Sequence, residues 1–312
     1  MDPASAPADD RLTFAGGRLL SRYPRALTLT PALLAQHRAS QVLCLTHDFA
    51  GRHVGLHARR PVGYALHTRR GAVAGSMTAP PPPAEPPSLV ALVPIRGVME
   101  QRSDVWECGW TTGYDTIAES TLRALAALEV GAVVLDIDSP GGDGAGLEQM
   151  IARVRAAADA AGKPLIAYVN EFAASAAYWI ACHCDGVYMP PSGFVGSIGV
   201  LVAYVNKGRA MREEGYDCEI LRDPPGKAVP NSIEPLDDLG RTRIQRGILS
   251  MSGRFMAAVS KRRGLTVDAV RALNGDLLDG QAAIDGRLAD GLGSLEDTIA
   301  LAASLAALRE VS

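Results

Sequence analysis

Residues 132 to 169 constrain this chain more than any other stretch. Ala132 to Ile137 (AVVLDI) is an apolar run of the kind that buried parallel strands carry, and it ends at the turn residues Ser139, Pro140, Gly141 and Gly142. Leu147 to Ala161 has helical periodicity, Gly162 to Pro164 closes it, and Leu165 to Val169 is the next apolar run. Strand, helix, strand in about 38 residues is a β-α-β unit, which requires parallel strands and a right-handed crossover. The loops after Ile137 and after Val169 then lie at the same carboxyl edge of one sheet. In open α/β sheets that edge is where ligands bind.

The loop after Val169 leads into Asn170 to Cys184 (NEFAASAAYWIACHC), which reads as a turn entering a buried helix. Ser175 sits there among Ala173, Ala174, Ala176 and Ala177. One role open to it is capping, because a serine oxygen satisfies an orphan N–H of the first helical turn. The other is nucleophilic catalysis, in which alanine neighbours leave room for a substrate and free N–H groups stabilise an oxyanion.

Around this unit the chain is long enough to bury a full core, with 312 residues and 47% hydrophobic content. Its longest apolar run, Leu89 to Ile95, is far short of the roughly 20 residues of a membrane span, and no signal segment opens the sequence. A cytoplasmic protein without a membrane anchor is the expectation. Five cysteines at irregular spacing fit a reducing compartment rather than a disulfide framework. Cys182-His183-Cys184 lacks a second ligand pair and reads as core packing, so neither a metal nor a cofactor is expected.

The net charge of −3 conceals a basic first quarter: residues 1 to 80 hold ten Arg against four Asp or Glu, and five of the six His. No nucleic-acid motif accompanies it, so nucleic acid is not an expected partner and a solvated or partner-docking arm is. Residues 1–78 show only a short helical pattern at Pro31 to His37 and receive no fold. Ala79 to Pro87 (APPPPAEPP), within a linker at 79–88, is a stiff spacer and the clearest boundary, leaving 89–312 as one domain.

Within that domain the patterns give strands at Leu89 to Val98, Gly186 to Met189, Ile198 to Tyr204 and Cys218 to Leu221. Helices are expected at Tyr114 to Leu128, Lys207 to Glu214, Leu236 to Arg263, Thr266 to Leu273 and Leu295 to Leu308. Leu278 to Leu292 reads as a glycine-bounded turn, helix and turn, and Asp223 to Pro235 as a loop rich in Pro and Gly.

A nucleophilic Ser175 needs a base. Beyond the spacer the one histidine is His183, eight positions further along the same expected helix and about 12 Å away along its axis. A lysine serves if desolvation removes its proton. The chain has four: Lys163 lies at the opposite sheet edge, and Lys207 and Lys261 adjoin arginines on solvated helices. Lys227, in the loop PPGKAVPN, is the best placed, although an ordinary loop lysine fits the same position.

Four motifs in this order resemble the signal peptide peptidase A family of serine peptidases, and more closely its soluble branch of phage and prophage head maturation proteases. They are DSPGG at Asp138 to Gly142, AASAAYWIA at Ala173 to Ala181, VGSIGV at Val195 to Val200, and LLDGQAAIDGRLADGLG at Leu277 to Gly293. The resemblance spans about Leu89 to Leu295. It implies a Clp protease/crotonase-like α/β spiral of β-β-α units with a helical C-terminal part. It also implies Ser175 as nucleophile, Lys227 as general base, and the N–H groups of Gly142 and Ala176 as the oxyanion hole. The implied activity is Ser-Lys hydrolysis of a polypeptide, by a homo-oligomeric ring or dome in which neighbouring subunits can share a site. The implied partner is a phage capsid, portal or scaffold protein. Ala176-Ala177 stands where many relatives have Gly-Gly, which bears on substrate preference.

Two other readings stand beside this one. A crotonase-like acyl-CoA enzyme would need an acidic group at the strand ends, where Asp136 and Asp138 are the ones available. An inactive scaffold would keep the fold without the chemistry.

Overall fold

The computed structural model describes residues 41–44, 89–102 and 111–310. The helix expected at Pro31 to His37 and the proline spacer lie outside them. Strands β1 (Gln41–Cys44), β2 (Leu89–Arg96), β5 (Val130–Ser139), β6 (Leu165–Ala174), β7 (Gly186–Met189) and β10 (Gly291–Leu292) form a parallel sheet in the order β1-β2-β5-β6-β7-β10. The parallel β5-helix-β6 unit read from the sequence is present, with α2 at Leu147–Ala161 between the strands. Gly162, in the left-handed region at φ +64°, ends that helix, as a residue without a Cβ does at least cost.

Both sheet faces are covered, so β2 and β5 read as continuous rather than alternating apolar runs. On one face Val133, Leu135 and Ile137 pack with α1 (Tyr114–Ala126), α2 and α3 (Ala176–Ala181). On the other, Val90, Leu92, Ala132, Val134, Ile166 and Tyr168 pack under Ile299, Ala302 and Ala306 of α8 (Leu295–Glu310). Together these make the α/β architecture with a helical C-terminal part that the sequence implies.

Several boundaries differ from the sequence reading. The strand expected to run through Val98 breaks at Gly97, whose φ of +68° turns the chain into β3 (Val98–Glu100), which pairs with β4 (Thr111–Gly113) in a separate small sheet. Asn170 to Ala174 is strand rather than turn, because Phe172 to Ala174 pair with β8 (Phe194–Gly196). The expected turn, helix and turn at Leu278 to Leu292 contains α7 (Gly280–Asp285) flanked by short strands β9 (Leu277–Asp279) and β10.

The largest departure lies between Gly199 and Ser250. The runs Ile198 to Tyr204 and Cys218 to Leu221 form no strands, since a strand exists only with a hydrogen-bonded neighbour and neither run finds one among the described residues. Helix α4 (Gly208–Glu213) and the first half of α5 (Asp238–Arg263) belong to this extension, in which only Gly208 and Gly240 are buried. Leu201, Val202, Val205, Leu221 and Leu249 are all exposed. The second half of α5 returns to the body, where Phe255 stacks on Trp179 at 4.5 Å between ring centroids. Helix α6 (Val267–Ala272), capped by the Thr266 hydroxyl, follows.

Candidate active site

Ser175 is the hinge between β6 and α3. Its backbone sits at φ 51°, ψ −122°, a conformation that a non-glycine residue adopts at a cost of about 1–3 kcal/mol. Ser175 occupies the N-cap position, yet its hydroxyl makes no capping bond. The capping role open to it in the sequence is therefore not the one it plays.

Surrounding backbone holds this strained turn. The Ser175 N–H donates to the carbonyl of Gly196 at 2.8 Å, and its own carbonyl accepts from Trp179 at 3.0 Å. Gly196, at φ +128°, lies so close to Asp276 that a Cβ would meet the Asp276 carbonyl oxygen at 2.5 Å. Strand β9 pairs antiparallel with β8, and the Ser197 N–H donates to Asp276. The VGSIGV and LLDG motifs thus serve one purpose, fixing the carbonyl that receives the Ser175 amide.

The DSPGG loop closes over the serine from β5. Ser139 is fully buried, and its Oγ accepts from Gly141 N–H at 3.1 Å, tightening the turn. Gly141 has φ +107°, and a Cβ there would stand 2.8 Å from the Ser175 Cβ and 2.9 Å from the Ala174 carbonyl oxygen. Gly142 pairs with Met99 of β3: Met99 N–H donates to Gly141, and Asp143 N–H donates to Met99, both at 2.8 Å. In such a bridge the central residue's own N–H points away from the partner strand. Among the described residues neither Gly142 N–H nor Ala176 N–H, the amide following the serine, has a protein acceptor. The Tyr114 hydroxyl braces the loop by donating to the Asp143 carbonyl.

Lys227 is held elsewhere. It is exposed, on a turn of the extension in which its N–H donates to the Pro224 carbonyl at 2.9 Å, and no hydrogen bond joins it to Ser175. Of the other lysines, Lys163 donates from Nζ to the Leu125 and Ala127 carbonyls at 2.7 Å each, finishing α1, and burial lowers its pKa. Lys207 and Lys261 are exposed.

The remaining polar groups near the sheet end divide by face. Asp136 and Asp138 continue the row of Ala132 and Val134 on the face that α8 covers, opposite α3. Asp136 is buried and paired with Arg96, which also reaches its carbonyl at 2.6 Å. Asp138 has its pKa raised to about 6, first by burial and further by Asp136 and Glu171, with Arg96 opposing. His183 leans its Nδ1 on the Trp179 carbonyl at 2.8 Å, and burial lowers its pKa. Cys182 bonds the Trp179 carbonyl, and burial lifts its thiol to about 12. These are packing roles.

Of the residues that the resemblance groups with Ser175, Ala176 adjoins it in sequence and Gly142 follows Gly141, which packs against it, while Lys227 is not brought to it by any contact among the described residues. Sequence reasoning missed Gly141 as the residue in contact with the serine, Gly196 as its amide's acceptor, and Met99 as the partner of Gly142. Positive φ at Gly141 and Gly196 was hinted at by their glycines; Met99 carried no signal at all.

A serine on a strained strand-to-helix turn, at the carboxyl edge of a parallel sheet and with the Gly141-Gly142 loop packed against it, is an arrangement that suits acyl-transfer chemistry. Residues 157–309 match the model of Peptidase family S49. Over these residues the chain is similar to Peptidase family S49, and three of the four motifs, from Ala173 to Gly293, fall within them, in line with the resemblance drawn from the sequence. The chain is 32% identical over 185 residues to the "Head-tail preconnector protein GP5" of Enterobacteria phage P21, covering 58% of this chain and 36% of that protein. "Capsid assembly protease C" of Escherichia phage lambda is 30% identical over 185 residues, covering 58% and 41%. "Protease 4" of Haemophilus influenzae is 28% identical over 191 residues, covering 60% and 30%. The matched region thus spans between 30% and 41% of these relatives' own lengths.

Proposed function

We propose that this chain is a serine endopeptidase in which Ser175 is the nucleophile and Lys227 the general base. The observation that carries this reading is the Ser175 turn: a strained serine with an uncommitted hydroxyl, in contact with Gly141, while the next residues Gly142 and Ala176 carry N–H groups without a protein acceptor among the described residues. Lys227 would take the Oγ proton as Oγ attacks the scissile carbonyl carbon. The oxyanion would be met by the two amides, each donor of this kind contributing about 10²–10³ in rate. The proton then passes to the leaving amine, and a water deprotonated by the same lysine hydrolyses the acyl-enzyme.

Lys227 lies on an extension nearly without a core, whose apolar side chains face outward. A second copy of the chain would cover them and bring a lysine to a serine, so the active form is a homo-oligomer in this reading. Two relatives are named for head-tail connection and capsid assembly, which makes a phage capsid or scaffold polypeptide the substrate class we favour. Among the described residues no helix is long and apolar enough to cross a membrane. The acyl-CoA alternative lacks support, since Asp136 and Asp138 lie on the sheet face opposite the Ser175 helix.

The test is hydrolysis of casein and a fluorogenic peptide by the wild type beside Ser175→Ala and Lys227→Ala. Loss of cleavage in both variants, with assembly intact, supports the dyad. Equal activity in all three rejects it.

A further inference from the structure

The turn carrying Lys227 is held from both sides by two side chains. Arg243, on α5, donates from Nη1 to the carbonyls of Gly226 and Val229, the second at 2.9 Å. Asn231 donates from Nδ2 to the Ala228 carbonyl at 2.9 Å, while its Oδ1 accepts from the N–H groups of Ile233 and Glu234. Three carbonyls around Lys227 are therefore engaged by neighbouring side chains. Gly226 lets the guanidinium approach: a Cβ there would stand 2.5 Å from an Arg243 nitrogen.

Hydrogen bonds of this kind matter more here than in a packed domain. With no apolar core beneath residues 199 to 250, polar contacts fix this segment, among them the Tyr204 hydroxyl on the Asn231 and Glu234 carbonyls, and those of Arg243 and Asn231 are the side-chain bonds that reach the turn itself. Arg243 also ties the turn to the body of its own chain. Along the same helix, twelve residues or about 18 Å further on, Phe255 stacks on Trp179. The Trp179 N–H in turn donates to the Ser175 carbonyl at 3.0 Å. One helix thus grips the lysine turn at one end and the nucleophile's helix at the other.

We infer that Arg243 is a positioning residue: it clamps the Lys227 turn to α5, so that the lysine is presented to a serine in a fixed place. The inference rests on the reading of Lys227 as general base. Among the described residues the hydrogen bonds of Arg243 go to the carbonyls of the turn alone, and its effect passes through Lys227. Both bonds leave the single nitrogen Nη1, and an ammonium can also serve two carbonyls as Lys163 does, but its shorter stem falls short of the guanidinium's reach, so Lys in its place restores part of the grip. A misplacement of about 1 Å in a catalytic group costs on the order of 100-fold.

The experiment measures kcat and KM of the assembled protein for a peptide and for an activated peptide ester. It uses wild type, Arg243→Ala, Arg243→Lys, Asn231→Ala, Lys227→Ala and the double variant Lys227→Ala/Arg243→Ala. The expected result is a kcat about 10- to 100-fold lower in Arg243→Ala with KM within twofold, partial recovery in Arg243→Lys, and a smaller kcat loss in Asn231→Ala. In the Lys227→Ala background, removal of Arg243 should change residual ester turnover less than twofold. Equal losses from Arg243→Ala in both backgrounds would overturn the inference, assigning the residue to folding or assembly. A wild-type kcat in Arg243→Ala with a dead Lys227→Ala would overturn it while leaving the base in place. Full activity in Lys227→Ala would remove the base and the inference together.

Discussion

Gly142→Ala probes the loop that lies against the serine. A Cβ on Gly142 would stand 1.8 Å from the Met99 carbonyl oxygen and 2.6 Å from the Met99 nitrogen. Van der Waals contact begins about 1.5 Å further out than the closer of these. Both obstacles are backbone atoms, so no rotamer change relieves them and the loop must part from β3. That breaks the two 2.8 Å bonds between Met99 and its neighbours Gly141 and Asp143, at about 1 kcal/mol each. It also moves the Gly142 N–H by about 1 Å, and a displaced or lost oxyanion donor lowers kcat about 10²–10³-fold. The assay is peptide hydrolysis with kcat and KM resolved, beside urea unfolding of the same variant. The expected outcome is a kcat loss in that range with about 2 kcal/mol of destabilisation. A kcat within twofold of wild type at unchanged stability would refute the reasoning. Gly162→Ala is the control: φ is +64° and a Cβ there would meet no atom within 4 Å, so about 1 kcal/mol of stability should go and kcat should stay.

Asp138→Asn should reveal the buried carboxyl by pH. Because its folded pKa of about 6 lies above the usual 3.8, the contribution to stability is fully present below about pH 4 and is lost as pH rises through 6. The Asn variant should therefore be more stable than wild type at pH 7–8, by up to about 2 kcal/mol, and equal to it near pH 3.5, as read by urea unfolding at each pH. Phe255→Ala removes a fully buried ring stacked on Trp179 and should cost about 3–5 kcal/mol in the same assay. Leu201→Glu together with Leu221→Glu places charge on the outward apolar face of the extension. Light scattering should show a smaller assembly, and cleavage should fall with it.

The parts of the fold legible in the sequence are those whose burial is completed within one chain. The helix Leu147–Ala161 and the strand Gly186–Met189 match their apolar patterns residue for residue, because each pattern is satisfied by a face of the same sheet. Ile198 to Tyr204 and Cys218 to Leu221 carry equally apolar patterns but have no ladder partner among the described residues, so pattern alone overstated them. In the site, Ser175, Gly142 and Ala176 were readable from motifs of adjacent residues. The pairing of Met99 with Gly142 and the grip of Arg243 on the Lys227 turn join residues far apart in sequence through backbone carbonyls, which any residue supplies. Nothing in the side-chain alphabet marks such contacts in advance.

The central claim is that Ser175 is the nucleophile, and the most direct measurement is covalent. The assembled protein is treated with a serine-directed fluorophosphonate, digested and mapped by mass spectrometry, beside a sample blocked first with peptide substrate. The account predicts one adduct, on Ser175, slowed by substrate and accompanied by loss of hydrolysis. An adduct confined to another residue, or hydrolysis that survives full labelling of Ser175, would contradict it.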